Sequence, residues 1–506
     1  MGNIVIGKHA LESLTTGMYS DPLVVFREYI QNSADAIDEA LLKGILKNFE
    51  SRIEVQLSPV EETVIIRDNG IGISYIDAEK TLISVGNSKK IQGTARGFRG
   101  IGRLAALSYC GKLVFETSYP GEKRGTRLTI DASILSNRLA QEENEDVSAE
   151  EVLRGVYSIE YYQEQEHSHY LNVIMKEVDA DSELNKYEVV YDYLAQNVPV
   201  AYDTDKFVWG KEIKSRLENE GYIIPEYNVY LSYAGETIPI YKAYTDEFFI
   251  DKSGNTVDRI KDIQIFNLKN SDGNTSAYGW LAHSDYFGSI YEKSIRGLRI
   301  RKGNILIGDG QTLNICFKDA RFNGWVIGEI FVNDTRLVPN ARRDNFEKNS
   351  AYFLFIEQIR NIASSITKDI RSASVARNAE LSKVVEQKQE IADKVNETLD
   401  YEKIDSKARE SLRKRLIRTQ DALNQFSSNE EIDLYNKEIA FDEIDMLMGK
   451  IQGVTAYKSL NAMQSLSKVE KKTLEQVFDT IVSVRPEEAE ELINSILKVF
   501  AGKSSK

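Results

Sequence analysis

The sequence predicts an α/β protein in three parts: a two-layer α/β sandwich over residues 1–195, a second α/β domain over 196–375, and an all-helical region over 376–506. Three observations lead there. Helical and strand-like periodicities alternate through the first part, separated by glycine-rich loops. After about residue 200, longer β-rich stretches take over. Beyond about residue 376 the apolar spacing is helical almost throughout.

In the first part, "VVFREYIQNSADAID" runs from Val24 to Asp38 with helical spacing. Val24, Val25, Phe26, Tyr29, Ile30, Ala34, Ala36 and Ile37 leave little of that helix for solvent, which marks it as buried. Yet Glu28, Asn32 and Asp35 fall at i, i+4 and i+7, on one face. Such a face is either a solvated stripe or a site, and buried carboxylates and amides need partners. "RIEVQLS" and "ETVIIRD" follow as strands joined by a short turn, and "KLVFETSYPGEKRGTRLTID" as a hairpin turning at Pro120 and Gly121.

A boundary near "LAQNVPVAYD" opens the second part. Its β-rich stretches are "IKDIQIFNL", "RGLRIRKGNILIG" and "GWVIGEIFVN", followed by the helix "SAYFLFIEQIRNIASSITKDIR". In the third part, Leu474, Val477, Phe478, Ile481 and Val482 make one apolar helix face, and Pro486 with two glutamates opens the next helix. Residues 380–427 are highly charged. The apolar series Ile404, Ala408, Leu412, Leu416 and Leu423 fits a coiled-coil hairpin or an ordinary helical bundle.

Composition narrows the function classes. A net charge of −14 argues against a chain coated for nucleic acid, although a local basic strip remains open. Cys110 and Cys316 form no CxxC, which disfavours a disulfide framework or a structural zinc site. The beginning, "MGNIVIGKHALESL", has no basic segment followed by an apolar core and lacks the Ser or Thr of a myristoylation signal. No run of about 18 apolar residues occurs, so the expectation is a cytoplasmic protein without a membrane span.

Two further motifs bear on chemistry. In "IIRDNGIGIS" a strand ends at Asp68 and runs into Gly70 and Gly72; a carboxylate there can accept a hydrogen bond from an exocyclic amine, and the glycines let a flat base approach. Alone, DxGxG is equally a plain turn. In "GTARGFRGIGRLAALS" a loop with Gly93, Gly97, Gly100 and Gly102 leads into a helix start whose free amides suit an anion, or it is a mobile structural loop. No GxxxxGK[ST] is present.

The order of these motifs, Glu-x3-Asn-x2-Asp, then DxGxG, then GxxGxG, resembles the GHKL or Bergerat-fold ATPases, the group of gyrase, heat-shock chaperone, histidine kinase and MutL. That resemblance implies a Bergerat ATP-binding fold over 1–195, with ATP and Mg2+ as ligands. It assigns Glu28 as the general base for the attacking water, Asn32 as the magnesium ligand and Asp35 as pocket support. Asp68 would take the adenine amino group, Gly70 and Gly72 would line the base, and Gly97, Gly100 and Gly102 would wrap the phosphates. Lys89 is either a phosphate or lid contact or a solvated lysine.

"GEIFVNDTRLVPNARRDNFEKN" resembles the segment of the ninety-kilodalton heat-shock chaperones in which an asparagine and an arginine reach the γ-phosphate. By that match Asn340 and Arg343 are the activating pair, with Arg342 the rival and a structural salt bridge the alternative. Departures are visible. The family's closing Gly-Thr corresponds either to Gly125 and Thr126 or to Ser168 and His169; "GFRG" is closer to MutL-type lids; the C-terminal region carries no resemblance.

The resemblance implies a slow Mg2+-dependent ATPase acting like the heat-shock chaperones, a homodimer held by the C-terminal helices, with ATP closing the N-terminal domains. The alternative is an ATP-gated nucleic-acid clamp of the MORC or MutL kind, in genome maintenance or phage defence. It rests on Arg296, Arg299, Arg301 and Lys302 in "RGLRIRKGN" and on "KARESLRKRLIR". A nucleotide-gated scaffold is a third reading, disfavoured by the retained glutamate.

Overall fold

Strict apolar alternation is what makes the first strands pair. In β1 (Ile53–Ser58) the residues Ile53, Val55 and Leu57 are buried, and in β2 (Thr63–Asp68) Val64, Ile66 and Asp68 are. The computed structural model describes residues 21–83, 102–140, 152, 154–399, 403–425, 431–453, 455–457 and 467–503. The chain divides into two units, Met1–Thr367 and Lys368–Lys506.

In the first unit, helix α1 (Val24–Leu42) ends in a Schellman motif: Gly44 has φ +69°, Ile45 N donates to Ala40 O and Gly44 N to Leu41 O. α2 (Ala78–Ile83) follows β2. A short 3-10 helix, Gly102–Ser108, leads to β3 (Lys112–Ser118) and β4 (Arg124–Asp131). These two form the expected hairpin, with Gly121 at φ +86° in its turn. α3 (Ala132–Ala140), β5 (Tyr157–Gln163), β6 (Tyr170–Lys176), α4 (Tyr187–Asn197) and α5 (Trp209–Asn219) come next, then β7 (Val229–Tyr233) and β8 (Glu236–Pro239).

One eight-stranded sheet results, in the order β5-β4-β3-β6-β2-β1-β7-β8; β1 and β7 are parallel and the other neighbours antiparallel. Its inward residues share a core with Val25, Phe26, Tyr29, Ile30, Ala34 and Ile37 of α1. The division expected near residue 195 is not a break in this sheet. β7 and β8 lie beyond it in sequence, and their backbone hydrogen bonds carry the sheet across.

After the small hairpin β9 (Glu247–Phe249) and β10 (Val257–Arg259), a second sheet forms from β11 (Asp262–Lys269), β12 (Thr275–His283), β13 (Gly297–Lys302), β14 (Ile305–Ile307) and β15 (Ile327–Val332). Its order is β11-β12-β15-β13-β14. The arginines of β13 do not form a surface strip. Arg299 and Arg301 are 2% and 1% exposed. Arg301 pairs with Glu329 and donates to Gln196 O (2.9 Å), while Arg299 donates to Lys293 O (2.7 Å). Glu329 also accepts from Lys242 Nζ (2.8 Å) and Tyr202 OH (2.6 Å). The basic alternation is therefore balanced inside the core rather than offered to phosphates.

Helix α6 (Ser350–Leu399) contains the division between the units. The second unit is helical, with one correction to the all-helical expectation: β16 (Lys403–Asp405) and β17 (Thr455–Tyr457) pair in parallel. α7 (Ser406–Gln425) and α8 (Glu431–Gly453) pack Leu412, Leu416 and Leu423 with Ile391, Val395, Ile444 and Leu447 in a bundle core, while Ala408 is exposed. α9 (Lys468–Val484) and α10 (Ala489–Lys503) share Leu474, Phe478, Ile493 and Leu497. Val477 turns outward at 41% exposure, off the predicted face, and Pro486 precedes α10 in a turn instead of starting it. Among the described residues no helix is long and apolar enough to cross a membrane.

Candidate functional site

Asp68 occupies an inward position of β2 where alternation would otherwise place an apolar residue. Its register partner on β6 is Leu171, which pairs in turn with Thr117 on β3; Ile66, Val173 and Phe115 form the next row. The carboxylate is held at both oxygens. Oδ2 accepts from Ser33 Oγ of α1 (2.7 Å) and Oδ1 from Gly70 N (2.9 Å). Burial pushes Asp68 up to about 6, against these hydrogen bonds and the charge of His169, which favour the ionised form.

Beside it, between α1 and the sheet, lies a cleft of about 500 Å3. Its lining includes Asn32, Ser33 and Asp35 of α1, Ile71 to Ser74 of the glycine loop, and Phe115, Leu171 and Val173 of the sheet. That size and the apolar wall with a few polar groups suit a small organic ligand.

The expected residues fall as follows. Asn32 and Asp35 line the cleft, and among the described residues the Asn32 amide makes no hydrogen bond. Gly72, at φ +67°, lines it too; a Cβ there would lie 1.9 Å from Ser118 O. Gly70 serves a close approach instead, since a Cβ would meet that of Ala36 at 2.6 Å, and Ile71 N donates to Ala36 O (3.0 Å). Lys89, Gly97 and Gly100 lie outside the described residues.

One turn before Asn32, Glu28 is 7% exposed. Gly102 abuts it: a Cβ on this glycine would come 2.4 Å from Glu28 Oε2. Glu28 Oε1 lies 3.2 Å from Arg343 Nε and 3.6 Å from Arg27 Nε, forming ion pairs without a well-aligned hydrogen bond. Arg27 Nη2 also donates to Arg342 O (3.0 Å), 315 residues away in sequence, which ties the arginine loop to α1. Of the two rivals, Arg343 brings its side chain to the glutamate, whereas Arg342 is exposed and contributes only its carbonyl to this contact. Arg343 has φ +57°, a left-handed backbone that costs a non-glycine residue about 1–3 kcal/mol. Asn340 donates to Asp344 Oδ1 (2.5 Å), and its own Oδ1 is buried without a partner.

Asp68 lies between β1 and β6, and β6 is entered through Ser168 and His169; His169 Nδ1 lies 2.9 Å from Gly70 O. Gly125 and Thr126 sit on β4, with β3 and β6 between them and β2. Sequence reasoning missed Ser33, Arg27, Tyr29 and Arg103. Ser33 was within reach, since a buried Asp68 demands donors and Ser33 follows Asn32 on the same helix. The others depend on contacts between distant segments.

Residues 19–159 match the family model described as histidine kinase-, DNA gyrase B-, and HSP90-like ATPase. Relatives include the chaperone protein HtpG of Streptomyces coelicolor, 26% identical over 149 residues that make up 25% of this chain and 23% of that protein. HtpG of Helicobacter hepaticus is 27% identical over 132 residues, 22% and 21% of the two chains. HtpG of Legionella pneumophila (strain Lens) is 33% identical over 87 residues, 16% and 14%. The chain thus spans less than a quarter of the length of these relatives. A helix bearing Glu28 and Asn32, a buried strand-end Asp68 and the matched segment agree: over residues 19–159 the chain is similar to GHKL-type ATPases, HtpG among them.

Proposed function

We propose that the protein is a slow, Mg2+-dependent ATPase that couples nucleotide binding to conformational change, in the manner of the heat-shock chaperones. The observation that carries this reading is one helix, α1, that lines a cleft through Asn32, Ser33 and Asp35 and makes two chemically different contacts: Ser33 holds Asp68, and just over one turn earlier Glu28 meets Arg343.

In this reading Asp68 accepts the adenine amino group while Ser33 Oγ and Gly70 N hold its carboxylate in place. Leu171, Val173 and Phe115 supply the apolar wall for the base. Glu28 orients the attacking water and takes its proton as the new bond to the γ-phosphorus forms and the β–γ bridging P–O bond breaks, releasing ADP. Arg343 stabilises the negative charge that develops on the transferring phosphoryl group, and Asn340 stands in the same loop. Gly102 gives the chain room to pass against Glu28, and Asp35 supports the pocket wall.

Magnesium fits the donor set. Asn32 offers a cleft-facing amide oxygen, and among the described residues no group of three or more His, Cys, Asp or Glu forms a closed metal cage. Mg2+ keeps waters and substrate phosphates and needs only one or two protein oxygens. When bound it would neutralise phosphate charge; Asn32 would hold it.

The second unit, residues 376–506 in particular, serves as a homodimerisation or partner-binding region, and ATP favours a closed arrangement of the N-terminal domains by a population shift. A cytoplasmic location accompanies this reading. The nucleic-acid clamp is not retained, because Arg299 and Arg301, its main support, are buried in the core, Arg301 against Glu329 and Arg299 against the Lys293 carbonyl. The test is Glu28→Ala: ATP binding by calorimetry should persist while turnover falls by about 10²–10⁴-fold. Unchanged turnover in that variant sinks the assignment.

A further inference from the structure

We propose that Arg103 binds the phosphate chain of the nucleotide, a cation supplied from within the cleft immediately after the glycine loop. The inference rests on the ATPase reading above and adds to it a residue outside the motifs that suggested that reading.

Position is the first argument. Arg103 lines the cleft together with Tyr29, Asn32 and Thr81. Its carbonyl accepts from Tyr29 OH (2.7 Å), and the preceding Gly102 rests against Glu28. Ser33, which holds Asp68, is four residues further along α1 than Tyr29, about 6 Å at 1.5 Å per residue. The Arg103 contact therefore lies about one turn of α1 from the residue that holds Asp68, on the side of Glu28, which would address a water to a phosphate.

Charge is the second. Asp35, Glu39, Asp77 and Glu122 also line the cleft, and among the described lining residues Arg103 is the one cationic side chain. Glu122 already accepts from Ser74 Oγ (2.5 Å) and Tyr75 N (3.1 Å), and Glu39 pairs with Lys43 (2.7 Å). Arg103 donates through Nη1 to the carbonyl of Thr81, and no carboxylate among the described residues pairs with it. Burial pushes its pKa downward. A guanidinium stays protonated under such burial, so its remaining N–H groups call for an anionic acceptor. A phosphate chain matches the planar fork of the guanidinium in geometry and charge.

A purely structural role, clipping α2 to the segment after the loop through Thr81, makes a different prediction. The full-length chain is titrated calorimetrically with ATP, ADP and adenosine, for the wild type, Arg103→Gln, which retains a donor for Thr81 O, and Arg103→Lys, which retains the charge. The expected result for Arg103→Gln is a loss of about 10–100-fold in ATP affinity, with adenosine affinity within twofold of wild type. Arg103→Lys should fall between. Equal losses for ATP and adenosine, or an ATP affinity unchanged in Arg103→Gln, overturn the proposal and leave the ATPase reading standing. A wild-type chain that binds neither ATP nor ADP overturns both.

Discussion

Replacing Arg343 by alanine separates the catalytic account of the Glu28 pair from a merely structural one. At 3.2 Å and an effective dielectric of about 20, the gross attraction is about 5 kcal/mol. Most of this is offset by desolvation of two side chains that are 12% and 8% exposed, and Arg27 remains 3.6 Å from the same oxygen. Loss of the left-handed backbone strain at Arg343 does not offset the deletion, since alanine meets the same φ of +57°. The net cost to stability should be about 1–2 kcal/mol, a fall in Tm of roughly 1–3 °C. The effect on chemistry should be larger. Removal of one preorganised charge at the transferring phosphoryl group lowers kcat by about 10²–10³-fold, whereas the ATP Kd should stay within about threefold. A coupled ATPase assay at saturating Mg·ATP, calorimetric Kd and thermal unfolding measure the three quantities, with Arg342→Ala as the neighbour that should behave nearly as wild type. A kcat within twofold of wild type, accompanied by the predicted fall in Tm, would refute the catalytic role and leave an ordinary salt bridge.

Two further outcomes follow from buried charge. Because burial raises Asp68 to about 6, its carboxylate is lost as an acceptor as pH falls through that value, so the Kd for adenosine should be flat above about pH 7 and weaken about tenfold by pH 5. Asp68→Asn should abolish that dependence, and a flat wild-type profile would contradict the adenine role. The stability contribution of Asp68 runs the other way: with the folded pKa above the ordinary value of 3.8, it is fully present below 3.8 and lost as pH rises through about 6. Glu329→Ala would leave Lys242 and Arg301 charged and buried without their common partner, at a cost of about 3–5 kcal/mol in urea unfolding. A loss below about 1 kcal/mol would mean that the core relaxes around the two cations.

Much of the candidate site is local and therefore legible. Helical spacing puts Glu28, Asn32 and Asp35 on related faces of α1, and period-two alternation carries β2 to Asp68, because each depends only on backbone geometry within a few residues. The same local rules found β1 to β4, the β-rich stretch that holds β13 and β14, and the C-terminal helices. They failed where the environment of a face mattered. Alternation at Arg299 and Arg301 correctly predicts that both point to one side of β13, but whether that side meets water or Glu329 is decided by β15 pairing alongside. Val477 fails for a related reason: a helical face is wider than its buried stripe, and the partner helix α10 covers Leu474 and Phe478 but leaves Val477 outside.

Spacing and motif order alone thus pointed to the residues of α1 and β2 that meet at the cleft, since helical and strand periodicity follow from short-range stereochemistry. Tertiary structure alone decided that Ser33 holds Asp68, that Arg343 rather than Arg342 reaches Glu28, and that Arg103 stands in the cleft beside Tyr29. Those contacts join segments far apart along the chain, and their energies depend on shared burial and on a common sheet that reaches past residue 195 to β7 and β8. No local periodicity encodes a distance between segments; packing of α1 against the sheet, driven by burial of its apolar face, sets it.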